Sequence, residues 1–197
     1  MAQSTDIQKR RVLAPCPTAA VARLQAELDV SHVLAQVLVR RGFADPDEAR
    51  EWLAAHDRHD PSEFCGIDDA VALIRRHIEA GNRITIHGDY DVDGVCSTAI
   101  LVRALRSLGA DVDSYLPSRL EDGYGLSAHT VERLAATGTK LLVTADCAIT
   151  AVDEVAAARA AGMDVVVTDH HTPRADGRLP DAPIVHPAHC GYPCAHL

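Results

Sequence analysis

From residue 83 onward the chain switches between two hydrophobic periodicities, and this alternation narrows the possible folds more than any other feature. Short apolar runs, "RITIH", "DVDSYLP", "KLLVTAD" and "DVVVTDH", are separated by segments with helical patterning over about 95–108, 127–136 and 150–161. Gly109 and Gly162 stand where helices end on glycine, and Ser127 and Thr150 stand where N-caps belong. Strand–helix alternation calls for crossover connections and therefore a mostly parallel sheet. Runs such as "VVVT" are apolar on both faces, as a sheet covered from both sides requires. The expected fold class is α/β, a doubly wound, mostly parallel sheet.

Residues 18–80 carry only helical signals and predict a helical N-terminal annex. Val33, Leu34, Val37 and Leu38 fall at helical spacing, and "DPDEAREWL" combines Asp45 as N-cap, Pro46 in the first turn and Glu48 at the capping-box position. "DPSEF" at 60–64 repeats that start signal before an apolar stripe of Val71, Leu73, Ile74 and Ile78. The expected division is therefore 1–80, helical, and 81–197, α/β.

Three of the strands end in polar clusters. The first runs into His87-Gly88-Asp89-Tyr90-Asp91-Val92-Asp93, the third into Asp146, and the fourth into Asp169-His170-His171. Ligand sites of open parallel sheets lie beyond the carboxyl ends of the strands, so the fold would gather these clusters on one rim. One aspartate after a strand is ordinarily a cap or turn former, and "DHH" alone is a weak signal. Carboxylates and imidazoles recurring at three strand ends instead point to bound cations that offset their mutual repulsion. An oxygen-rich set with a few imidazoles suits Mn²⁺ or Mg²⁺, and so many carboxylates imply two ions, the usual apparatus of phosphoester hydrolysis. Gly94, opening the next helix, is a candidate to present backbone amides to a phosphate. Cys147 is expected to point away from Asp146 and to pack.

Composition adds limits. The 197 residues hold 19 Lys and Arg against 28 Asp and Glu, a formal charge of −9, which argues against a nucleic-acid binder unless metal neutralises several carboxylates. Apolar runs fall well short of the roughly 18 residues that span a bilayer, and no secretion signal is evident, so a cytoplasmic protein without membrane contact is expected. Six scattered cysteines then read as reduced thiols. "HPAHCGYPCAH" holds His186, His189, Cys190, Cys194 and His196, but one short irregular stretch reads as a loop rather than a zinc site.

The residues resemble the DHH phosphoesterases. "HGDYDVDG", "VTADCAI" and "VTDHH" are similar to the first three motifs of that superfamily. Within it, "DPSEFCGIDDAVALIRRHIEAGNRITIHGDYDVDG", "EDGYGLS" and "IVHPAHCGYPCAHL" extend the resemblance to the RecJ family of single-strand-specific 5′-to-3′ exonucleases, over about residues 20–197. The resemblance implies a two-metal exodeoxyribonuclease of DNA recombination and repair, using Mn²⁺ or Mg²⁺. It further implies single-stranded DNA as substrate, with a single-strand-binding protein and a repair helicase as partners. By motif, His87 and Asp91 would bind one metal and Asp93 and His170 the other, with Asp146 bridging. His171 would contact the scissile phosphate, Asp89 and Asp169 would orient other groups, and Arg119 and Tyr124 would touch the DNA strand.

Two departures accompany the resemblance. Ala148 stands where the family commonly has Gly. The family also continues past the position of Leu197 into a fourth motif with another Asp ligand, a DHHA1 domain and an OB-fold, so the 197-residue chain alone is expected to be a weak or inactive nuclease. The motifs leave two alternatives open: a DHH-type hydrolase of short oligonucleotides, cyclic dinucleotides or pyrophosphate, and a non-catalytic DHH scaffold.

Overall fold

The computed structural model describes residues 15–56, 58–118, 125–189 and 191–193. The chain divides into two compact units, Met1–Arg58 and His59–Leu197. Among the described residues the first holds three helices, α1 (Thr18–Leu28), α2 (His32–Arg40) and α3 (Pro46–Ala54). Asp45 caps α3 as its sequence demands, accepting from the amides of Asp47 at 2.9 Å and Glu48 at 3.5 Å. The core of this unit is Val21, Leu24, Ala35, Leu38 and Ala49. Val33 and Val37 lie on the exposed side of α2, because Ala35 and Leu38 form its buried stripe.

The second unit begins with a 3₁₀ turn, Pro61–Glu63, closed by a capping box between Asp60 and Glu63. Helix α4 (Ile67–Glu79) starts only after Gly66 at φ +74°. A Cβ on Gly66 would stand 2.4 Å from the carbonyl oxygen of Ile184, so glycine is required there twice over. Helix α4 belongs with the sheet rather than with the helices before it. Ala70, Leu73, Ile74 and Ile78 pack on Ile84, Ile86 and Val166, which sets the division at 58/59 instead of 80/81. Val71, expected on that stripe, is exposed.

The sheet comprises β1 (Ile84–Gly88), β2 (Val112–Tyr115), β3 (Leu141–Ala145), β4 (Asp164–Thr168) and β5 (Ile184–Val185), all parallel, in the order β2-β1-β3-β4-β5. Helix α5 (Val92–Ser107) joins α4 on one face, over Ile84, Ile86, Leu141, Val143 and Val166. Helices α6 (Ala128–Ala136) and α7 (Val152–Ala160) cover the other, over Leu142, Val165 and Val167. The chain is thus doubly wound, and its path reverses between β1 and β3, where such sheets leave a crevice.

Three local expectations shift. Helix α5 starts at Val92 because Asp91, not a later residue, is its N-cap. Ser127 caps α6 as read, accepting from the Thr130 amide at 3.1 Å, whereas α7 begins after Ala151 without a side-chain cap. Cys65 is disulfide-bonded, against the expectation of reduced thiols, while Cys16, Cys96 and Cys147 are free. Beside it Phe64 stacks on Tyr192, centroids 3.7 Å apart, which pins this loop against the C-terminal segment. Among the described residues no helix is long and apolar enough to cross a membrane.

Candidate metal centre

Strands β1, β3 and β4 are neighbours in the sheet, so the polar residues after them meet on one rim. Two groups of possible ligands share Asp146: Asp89, Asp91 and Asp146, and Asp146, His170 and His171, each with ligand atoms within 4.8 Å of one another. Asp146 leaves β3 with φ +66°, a left-handed conformation that aspartate tolerates better than most side chains. Both of its carboxylate oxygens are buried and receive no hydrogen bond. His170 Nε2 approaches one of them to 2.9 Å and His171 Nδ1 to 3.8 Å, as ion-pair contacts only. Burial, then the charges of Asp93 and Asp91, push the Asp146 carboxyl above its ordinary value. A buried carboxylate without donors beside other carboxylates is a position that a cation would satisfy.

The other carboxylates are held differently. Asp91 Oδ1 accepts the Gly94 amide at 3.0 Å, and that bond, with lesser contributions, lowers its pKa. Asp169 is buried, and burial pulls its carboxyl up. Bonds from the amides of Ile149 at 2.8 Å, His170 at 2.7 Å and His171 at 3.0 Å, together with His171 Nδ1 at 2.8 Å, outweigh burial and leave it lowered. Asp169 therefore holds the histidine pair and the turn after β3 in one piece. His171 loses basicity to burial but regains more from Asp169, so its pKa is raised.

His87 and Asp93 stand outside both ligand groups. Asp93 lies beside the centre, its Oδ2 3.5 Å from His170 Nε2. His87 is fully buried at the end of β1, between Cys147 and the ring of Tyr115, 5.5 Å away between centroids. Asp89, expected to orient other groups, instead offers a ligand atom beside Asp91 and Asp146.

Gly94 does not present its amide to a phosphate, because Asp91 occupies it. Its glycine character is steric: a Cβ would lie 2.4 Å from the Asp89 amide nitrogen and 2.5 Å from its carbonyl oxygen. Ala148 has φ +83°, where L-residues are disfavoured by about 1 kcal/mol, which accounts physically for the glycine common there. Cys147 packs, but against His87 rather than away from the rim, because the left-handed residues on either side of it break the strand alternation. Arg119 and Tyr124 lie outside the described residues.

His186 is the supporting residue that pattern reading missed. Its Nε2–H donates to the His171 carbonyl at 2.8 Å and its Nδ1 accepts the Ala188 amide at 3.1 Å, so both ring nitrogens are engaged and neither is left for zinc. The groove at the opposite end of the sheet, lined by Asp69, Arg76, Arg159, Asp164 and Asp181, holds the ion pairs Arg76–Asp164 and Arg159–Asp181.

Residues 83–196 match the DHH family, N-terminal domain, and the chain belongs to that family. It is similar to the single-stranded-DNA-specific exonuclease RecJ of Bacillus subtilis, 38% identical over 182 residues, covering 90% of this chain and 23% of the relative. Against RecJ of Thermus thermophilus the identity is 41% over 185 residues, covering 93% and 26%. The chain thus spans about a quarter of the length of these curated relatives. A crystal structure of exonuclease RecJ bound to manganese superposes with a TM-score of 0.63 at 41% identity, covering 68% of this chain and 34% of the other. The Thermus thermophilus RecJ complex with Mn²⁺ superposes at 0.60 with 35% identity, covering 90% and 24%.

Proposed function

We propose that this chain carries the metal-binding part of a cytoplasmic 5′-to-3′ exonuclease that hydrolyses phosphodiester bonds of single-stranded DNA. The observation that carries the reading is the Asp146 carboxylate, buried without a donor where two ligand groups meet. The donor set fits hard divalent cations, Mn²⁺ or Mg²⁺: among the described residues the two ligand groups consist of carboxylates and two imidazoles. Asp91, with Asp89 beside it and His87 behind, would hold one ion, His170 and Asp93 the other, and Asp146 would bridge. Two such ions, when bound, stabilise charge on the attacking and leaving oxygens of an in-line displacement.

The protein's own groups then have separable tasks. Asp169 fixes both histidines through backbone and side-chain bonds, and the role of contacting the scissile phosphate falls to His171. Its basicity, lowered by burial and raised more by Asp169, suits contact with an anionic group. Arg119 and Tyr124 are assigned to the strand itself by residue type, a guanidinium for phosphate and a ring for a base. A single-strand-binding protein and a repair helicase are the partners that such an exonuclease would meet on DNA.

Incubating the purified chain with 5′-labelled single-stranded DNA, duplex DNA, a cyclic dinucleotide and pyrophosphate, each with Mn²⁺ or with chelator, tests the reading. Weak release of mononucleotides from the single strand alone, seen only at high Mn²⁺ and abolished in Asp146→Asn, is the expected result. Preferential turnover of cyclic dinucleotide or pyrophosphate would assign a different DHH hydrolase. No Mn²⁺ binding by calorimetry would leave only a scaffold.

A further inference from the structure

Cys147 and His87 meet across β1 and β3 with both side chains fully buried. The thiol sulfur lies 3.5 Å from His87 Nδ1 and 3.6 Å from the backbone oxygen of the same residue. A thiol has one hydrogen and a carbonyl oxygen can only accept, so both contacts are hydrogen bonds at once in a single arrangement: the S–H directed to the carbonyl oxygen and the Nδ1–H directed to the sulfur. We propose that Cys147 is a positioning residue that sets His87 in the Nδ1–H tautomer, leaving Nε2 the unprotonated nitrogen.

The local backbone is built to make this contact. Cys147 is flanked by Asp146 at φ +66° and Ala148 at φ +83°, and Thr144 Oγ1 donates to the Cys147 carbonyl at 2.9 Å, closing the turn. This turn brings the thiol onto His87 and leaves the Asp146 carboxylate in the cluster. An imidazole that holds a cation through one nitrogen is ordinarily fixed by a bond at the other, and losing that outer partner commonly weakens metal affinity by about 10- to 100-fold. The significance of the tautomer rests on the reading of His87 as a ligand, whereas the tautomer itself does not.

The test is a long-range ¹H–¹⁵N spectrum of the full chain, labelled with ¹⁵N-histidine, in chelator at pH 8, with His87 identified by its loss in His87→Gln. A protonated Nδ1 and unprotonated Nε2 are expected, and the reverse pattern in the unaltered protein would overturn the proposal outright. Cys147→Val, which keeps shape but no hydrogen-bonding group, should convert His87 to a tautomer mixture, and Cys147→Ser should restore the original form. An unchanged tautomer in folded Cys147→Val would also overturn it. Mn²⁺ titration of the same variants separates the two readings. The valine variant should bind about tenfold or more weakly, with serine close to the original. A changed tautomer with unchanged Mn²⁺ affinity would support the role of Cys147 and remove His87 from the ligand set.

Discussion

Asp146→Asn removes one negative charge from the most crowded point of the cleft and alters little else, since asparagine tolerates the φ of +66° at least as well. A buried acceptor left without a donor costs about 1–3 kcal/mol, more when charged. The ion-pair contacts of His170 at 2.9 Å and His171 at 3.8 Å return part of that cost. A net gain of about 1 kcal/mol follows for the metal-free variant, a rise in Tm of about 3 °C for a unit of this size. The pH dependence has a definite sign. Burial, followed by Asp93 and Asp91, raises the folded carboxyl above 3.8, so its favourable contribution is complete below 3.8 and is lost as pH rises through the raised value. The advantage of the variant should therefore be absent in acid and complete at neutral pH. Mn²⁺ reverses the order: at a hundredfold excess over Kd the unaltered protein gains about 2.7 kcal/mol, and the variant little. Differential scanning calorimetry in chelator and in Mn²⁺ reads both effects. A metal-free variant that melts below the unaltered protein at neutral pH, or one that keeps the full Mn²⁺ shift, would refute the reasoning.

Gly94→Ala should cost about 3 kcal/mol or more in urea unfolding and abolish Mn²⁺ binding, because its Cβ would meet the backbone of Asp89 at 2.4 Å. Asp169→Asn should destabilise by about 2 kcal/mol at pH 7, since charge-assisted bonds to the Ile149, His170 and His171 amides weaken. The folded pKa of Asp169 is lowered, so this stabilisation is present above 3.8 and fades as pH falls through the depressed value; denaturant midpoints compared at pH 7 and in acid should converge. His170→Ala should weaken Mn²⁺ binding by about tenfold or more, whereas His171→Ala should leave it within a few-fold and, placed in a complete enzyme, lower kcat on single-stranded DNA. Calorimetry paired with a nuclease assay on both variants checks that division.

The sheet was readable because periodicity is a property of neighbouring residues: "LLVTA" and "DVVVT" announce buried parallel strands unaided. The convergence on one rim followed from the rule that parallel strands present their carboxyl ends together. Features that depend on partners far along the chain were not readable. Strand β5 has two residues, too few to show a period, and is defined by its pairing with β4. Alternation mispredicts the orientation of Cys147 because it assumes extended backbone, and Asp146 is left-handed. Gly94 resembled a phosphate-binding glycine, whereas its nearest contacts are the backbone of Asp89. His186 acts on a carbonyl 15 residues earlier, which no local pattern signals.

The cluster draws its members from β1, β3 and β4, and β1 pairs with β3 in the register Ile84↔Leu141. No single strand–helix unit contains it. A folding intermediate with only local helices formed would have nothing to offer a cation, and contacts closed across such separations tend to form late. Ions bound there would thus grip interactions absent from much of the climb to the transition state. Their effect should fall on the rate of escape from the native basin rather than on the rate of entry. Persistence against proteases and heat then becomes a matter of the divalent-ion supply around the molecule, a kinetic latch superimposed on an otherwise ordinary sheet.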